Sequence, residues 1–125
     1  MYDLIIIGGG PAGLSAGLYA SRSGLNSFLI EKMGVGGQAV LTEKIENYPG
    51  FPSGIGGFEL LNLMEDQAKK AGLKIKLDNV LSIKRLQDNS FIINCENENY
   101  NTRSVIIATG AVPRKLDIKG ESEFT

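Results

Sequence analysis

Histidine is absent from this chain, and Cys95 is its only cysteine. These two shortages exclude a disulfide framework, a Cys-x-x-Cys redox pair and a Cys/His zinc site within the 125 residues. Histidine-based acid–base catalysis is excluded with them. Charge of one sign is missing too. Thirteen basic and 14 acidic residues leave a formal net charge of −1, with no basic run, so neither nucleic acid nor an anionic membrane is expected as a partner. The apolar runs are far too short to span a bilayer. A first strand beginning at Tyr2 leaves no room for a signal peptide, so a soluble cytoplasmic protein is expected. The length suits one domain at most, with a modest core.

What the chain does have is glycine in a particular place. Tyr2-Asp3-Leu4-Ile5-Ile6-Ile7 reads as a buried strand and runs directly into Gly8-Gly9-Gly10-Pro11-Ala12-Gly13. A bare G-x-G-x-x-G is often only a glycine-rich turn. In the order strand, loop, helix it predicts a dinucleotide site. Gly8 permits the turn, Gly10 lets backbone approach a pyrophosphate, and Gly13 lets the helix pack close to the strand. Amides at the helix start then face the phosphates. Gly24 is placed to end that helix at its C′ position. Asn26–Ile30 reads as the second strand, with Glu31 at its carboxyl end, 18 residues after Gly13. An acidic residue there accepts from ribose hydroxyls and repels a 2′-phosphate, which suits FAD or NAD over NADP.

The coarse order is β-α-β, loop, α, β, an antiparallel insertion, then β. Leu14 and Leu18 should face the sheet, with Gly13 and Gly17 on the close-packed side. A glycine- and proline-rich stretch from Lys32 to Gly57 carries no regular period. A helix is expected over Phe58–Ala71, with Leu61, Met64, Ala68 and Ala71 as its apolar stripe and Gly72 as its stop. Leu73–Leu77 reads as a short strand. Val80–Leu86, Phe91–Cys95 and Tyr100–Arg103 read as a three-stranded meander, turned at Asp88-Asn89-Ser90 and Asn97-Glu98-Asn99. Cys95 alternates inward with Phe91 and Ile93 as a packed, inert thiol. Ser104–Ala108 reads as a separate apolar strand leading to Thr109-Gly110. The fold class is therefore α/β, a Rossmann-like FAD/NAD(P)-binding fold: a parallel sheet flanked by helices, with a small antiparallel β-meander insertion.

Several longer segments resemble the N-terminal part of the bacterial, low-molecular-weight thioredoxin reductases. They are Ile6–Leu14, Gly36-Gly37-Gln38, Ile45-Glu46-Asn47-Tyr48-Pro49-Gly50-Phe51, Ile106–Ala111 and Gly120-Glu121. The glycine loop and Ala108-Thr109-Gly110 occur in many two-dinucleotide flavoproteins; Gly-Gly-Gln followed by Glu-Asn-Tyr-Pro-Gly is more specific to this group. The resemblance implies that residues 1–125 are the N-terminal part of an FAD-binding domain, with FAD as cofactor. It places Gly8, Gly10, Pro11, Ala12 and Gly13 at the pyrophosphate, Glu31 at the ribose and Lys32 beside the adenosine. It puts Gly36, Gly37 and Gln38 along the pyrophosphate and ribityl chain, and Thr42, Ile45 and Asn47 near the isoalloxazine. Val80 falls near the adenine, and Ala108, Thr109 and Gly110 at the carboxyl edge of the sheet. No catalytic residue and no metal site is assigned.

Lys119 stands where this family usually has proline. A larger departure is length. Members of the family continue into an NADPH domain with a Cys-x-x-Cys pair and return with a C-terminal FAD segment that adds a strand beside the one ending at Ala108. The resemblance implies an NADPH-dependent reductase of thioredoxin, or of a similar small dithiol protein, in the complete enzyme, and an inactive, incomplete FAD domain in this chain alone. The open sheet edge predicts a homodimer or other self-association. Two alternatives stay open: a stand-alone or split flavin- or nucleotide-binding module, and the FAD part of a thioredoxin-reductase-like ferredoxin–NADP reductase.

Overall fold

The computed structural model describes residues 1–34 and 41–111. Its elements are β1 (Tyr2–Ile7), α1 (Pro11–Arg22), β2 (Ser27–Glu31), α2 (Gly57–Lys70), β3 (Lys74–Leu77), β4 (Val80–Arg85), β5 (Phe91–Cys95) and β6 (Asn99–Ile107). They form one six-stranded sheet in the order β3-β2-β1-β6-β5-β4. β1 lies parallel to β2 and to β6, and β2 parallel to β3; the β4–β5 and β5–β6 pairs are antiparallel. This is the expected Rossmann-like plan with its meander.

β1 explains the layering. Its run from Leu4 to Ile7 is buried throughout, as a central parallel strand requires. Leu4 and Ile6 join Leu14, Leu29, Leu61 and Ala68 in the core under the two helices. Ile5 and Ile7 join Phe28, Ile30, Ile93 and Tyr100 in a second core. One β-branched strand thus feeds two apolar layers through its period of two.

Both helices end in the same way. Gly24 has φ +74° and Gly72 φ +113°. The Leu25 amide donates to Ala20 O at 3.1 Å and the Leu73 amide to Ala68 O at 3.0 Å. Each left-handed glycine thereby turns the chain back and lets the following leucine satisfy an orphan carbonyl. Within α2, Leu61 and Ala68 are fully buried and Met64 partly so, Leu60 joins the buried set, and Ala71, partly buried, is the C-cap rather than a helical residue.

The last strand departs from expectation. Tyr100–Arg103 and Ser104–Ala108 are not two strands but one, β6. The change from polar to apolar composition at Ser104 marks a change of neighbours, not a break. Asn99–Thr102 pairs with β5, whereas Ser104–Ile107 pairs with β1 alone among the described residues. Thr102, fully buried at the join, shares its hydroxyl proton between Tyr2 O and Ser104 O. The expected open edge is therefore half of an interior strand. The sheet's true outer strands carry charge, Lys74 and Lys76 on β3 and Lys84 and Arg85 on β4, a common guard against edge-to-edge pairing. Cys95 is buried and unpaired, and burial raises its thiol pKa, helped by the nearby charges of Asp78 and Glu98. That keeps it the unreactive thiol expected.

Candidate functional site

The strands β1, β2 and β3 end side by side at one edge of the sheet, and each contributes its last residues to a common pocket. The Gly8 amide donates to Ile30 O at 2.9 Å, and the Asp78 amide to Glu31 O at 3.0 Å. An open pocket of about 300 Å³ lies here, and Gly8, Glu31, Lys32, Asp78, Val80 and Thr109 are among its lining residues. Its size is at the lower end for small-molecule sites.

The glycine loop is built by steric necessity. Gly8 has φ +110°, and a Cβ on it would stand 2.0 Å from Ala108 O. A Cβ on Gly13 would stand 1.8 Å from Gly8 O. No side chain fits at either position, so β1, the start of α1 and the end of β6 meet at backbone distance. Gly17 serves the same packing farther along α1, where a Cβ would meet Leu73 Cδ2 at 2.5 Å. Gly10 caps α1 with extended backbone and no side-chain bond, Pro11 opens the helix, and its first turn has no acidic residue. Ala12 and Gly13 belong to this first turn, where amides have no intrahelical acceptor. Uncapped amides at a positive helix end favour an anion.

Glu31 takes a role that the sequence did not disclose. One carboxylate oxygen accepts from the Gly9 amide at 2.5 Å, and the other from the Lys32 and Met33 amides at 2.9 and 3.4 Å. The residue expected at a ribose thus also ties the end of β2 to the glycine loop. Each carboxylate oxygen has further lone pairs to offer a hydroxyl donor.

Asp78 is a second residue that sequence reading missed. It is 7% exposed, and its Oδ1 accepts from the amides of Asn79 (2.7 Å) and Asn97 (3.2 Å) and from Asn97 Nδ2 (3.2 Å). Asp78-Asn79 looks like any turn dipeptide; the one signal was a strand ending beside it. The Glu96 amide donates to Asn79 O at 3.0 Å, and Asn79 Nδ2 to Glu96 Oε1 at 3.1 Å. The β3–β4 corner is thereby stapled to the β5–β6 turn, which holds Val80 at the pocket wall.

The other expected residues fall outside this gathering. Thr42, Ile45 and Asn47 do not line the pocket. Thr42 O accepts from the Gly57 amide, Ile45 pairs with Ile55 in an isolated bridge, and Asn47 is exposed. Ile45, Tyr48 and Phe51 pack against the helix-side core. Ala108 touches the site through its backbone, donating to Ile7 O at 2.8 Å, and Gly110 follows Thr109 with φ +72°. Gly36, Gly37 and Gln38 lie outside the described residues.

A family model described as pyridine nucleotide-disulphide oxidoreductase matches residues 2–125. The chain belongs to this family. Among pyridine nucleotide-disulphide oxidoreductases it is similar to a thioredoxin reductase of Treponema pallidum, 46% identical over 123 residues that cover 98% of this chain and 40% of that protein. The structure of Lactococcus lactis thioredoxin reductase superposes with a TM-score of 0.92 at 41% identity, over 99% of this chain and 40% of that one. A ferredoxin-flavin thioredoxin reductase of Clostridium acetobutylicum superposes with a TM-score of 0.82 at 31% identity, over 99% of this chain and 42% of that one. The chain thus spans about 40% of the length of the relatives it matches. Among the described residues, no helix is long and apolar enough to cross a membrane.

Proposed function

We propose that residues 1–125 are the N-terminal FAD-binding part of a thioredoxin reductase. The observation that carries this is the side-chain-free cradle of Gly8 and Gly13 beside Glu31, in a chain that matches thioredoxin reductases from end to end. A Cβ at either glycine would strike backbone, Ala108 O or Gly8 O, so glycine there lets β1, α1 and β6 close together and leaves the uncapped start of α1 free to take a pyrophosphate. Gly10, Pro11, Ala12 and Gly13 present the helix start to the phosphates, Glu31 and Lys32 flank the ribose and adenosine, and Val80 lies by the base. Gly36, Gly37, Gln38, Thr42, Ile45 and Asn47 are assigned to the ribityl and flavin half, and Ala108, Thr109 and Gly110 to the strand end beneath it. Bound FAD supplies two-electron redox chemistry, and the residues here bind, orient and exclude water.

In the complete enzyme the electrons come from NADPH and pass to thioredoxin or a similar small dithiol protein, in the cytoplasm. The ferredoxin-flavin relative favours a second reading in which ferredoxin is the donor. With a single cysteine, this chain supplies no dithiol for either route, so alone it is inactive. It self-associates, as a homodimer or larger species, through the half of β6 that has no second strand partner among the described residues; a concentration-independent monomer in sedimentation refutes this. FAD titration, followed by flavin fluorescence quenching, tests the main reading. Saturable but weak binding is expected, lost in Gly13→Val. Absence of saturation, or a variant that binds as the parent does, overturns it.

A further inference from the structure

The second core carries three aromatic rings and a cation that the pocket does not use. Tyr2 of β1, Phe28 of β2 and Tyr100 of β6 meet edge-on, with ring centroids 4.7 Å apart for Tyr2–Phe28, 4.9 Å for Phe28–Tyr100 and 6.2 Å for Tyr2–Tyr100. Phe28 and Tyr100 are buried, Tyr2 half-buried. The half-buried Lys76 places its ammonium over all three, 4.4 Å from the Phe28 centroid, 4.7 Å from that of Tyr100 and 5.8 Å from that of Tyr2. At each distance the negative face of a ring attracts a cation. No carboxylate among the described residues shares this role, since the ion pairs there are Lys44–Glu46, Lys69–Glu65 and Lys70–Asp66. Lys76 is not among the residues lining the nucleotide pocket.

The strands that carry Lys76 and Tyr100 are not neighbours. β2 and β1 stand between β3 and β6, so three strand spacings, about 14 Å, separate them along the sheet. Lys76 and Tyr100 meet because each reaches over Phe28 and Tyr2. Their contact joins the outer strand of the parallel half to the strand that carries the meander. We propose that Tyr2, Phe28 and Tyr100 form an ammonium-binding cage, that Lys76 is its resident ligand, and that the filled cage latches β3 to β6. The ligand class is a cation on a slender alkyl stem. A neutral head of the same size gains none of the attraction to the ring faces. With the lysine side chain cut away, the same rings take a free alkylammonium. The cage stands whether or not the pocket takes a dinucleotide.

Lys76→Ala empties the cage in the whole chain. The probe is n-propylammonium chloride at neutral pH, with sodium chloride and propanol at equal concentration as controls for salt and for the alkyl stem. Thermal unfolding is recorded for the parent and the variant. Lys76→Ala is expected to melt about 4 °C lower, and propylammonium to raise its melting temperature saturably, as a ligand of the native state does. Neither control should do so, and the parent, its cage filled, should not respond. Lys76→Arg, which keeps a cation over the rings, should melt close to the parent. A second measurement needs no variant and decides the matter where Lys76→Ala does not fold. In the proton NMR spectrum of the parent, ring currents should move the Lys76 ε-methylene signal upfield of those of the other lysines. A Lys76 signal lying among the others overturns the inference. So does an unchanged melting temperature in Lys76→Ala, or a rescue that sodium chloride, propanol or the parent chain reproduces. A variant that melts lower yet ignores propylammonium overturns it too, because Lys76 then acts through its stem packing alone.

Discussion

The two halves of β6 invert the usual relation between composition and burial. Asn99–Thr102 is polar, yet it lies against β5 and contributes the buried Tyr100 and Thr102. Ser104–Ile107 is mostly apolar, yet among the described residues it has β1 as its sole strand partner, and Ile107 is 67% exposed. In the first half, tertiary neighbours make polar side chains affordable: the Tyr100 hydroxyl donates to Glu98 Oε2 at 3.0 Å, and its ring meets Phe28 edge-on at 4.9 Å. The second half has backbone groups and apolar surface in excess of what the described residues cover. Unguarded apolar edges of this kind are sites of pairing. The charged residues on the true outer strands, β3 and β4, make the contrast sharper.

The largest expected effect lies in the covered half. Tyr100→Ala removes a ring packed against Phe28 and Tyr2 and lying under the Lys76 ammonium; it should cost about 3–5 kcal/mol, read by denaturant unfolding. A milder break uses pH. Burial, and then the hydrogen bond to Glu98, push the Tyr100 hydroxyl up to about 12 from 10.0. A folded pKa above the unfolded one means stability that is complete below pH 10 and declines as pH rises toward 12. Urea midpoints measured across that range should fall, and Tyr100→Phe should remove this contribution. Thr102→Val deletes the shared hydroxyl at the join of the two halves and should cost about 1 kcal/mol, again by chemical unfolding. In the open half, Ile107→Lys should change stability by no more than about 0.5 kcal/mol, while sedimentation shows self-association reduced. A large loss of stability there would mean that the open half is not open.

The parts legible in the sequence were those set by local geometry. Gly8, Gly13, Gly24 and Gly72 announce themselves because only glycine tolerates their backbone angles or approaches. The same holds for Pro11 at the helix start, and for the turn in which the Asp88 carboxylate accepts from the Ser90 amide. The continuity of β6 was not legible. Its two halves differ in composition because they answer to different neighbours, β5 for one and β1 for the other, and neighbours distant in sequence leave no periodic signal. Asp78 and Asn97 were hidden for a related reason: 19 residues separate the partners of that staple, and each by itself looks like a turn residue.

By itself, then, the sequence determined the element types, the glycine cradle and the placing of Glu31 at a strand end, since backbone sterics and side-chain periodicity act over a few residues. Only the tertiary structure decided how Glu31 reaches Gly9, how Asp78 binds Asn97, and which half of the last strand is covered. Those outcomes depend on bringing the ends of β1, β2, β3 and the meander to one edge of the sheet, where hydrogen bonds form between residues that the chain order keeps far apart.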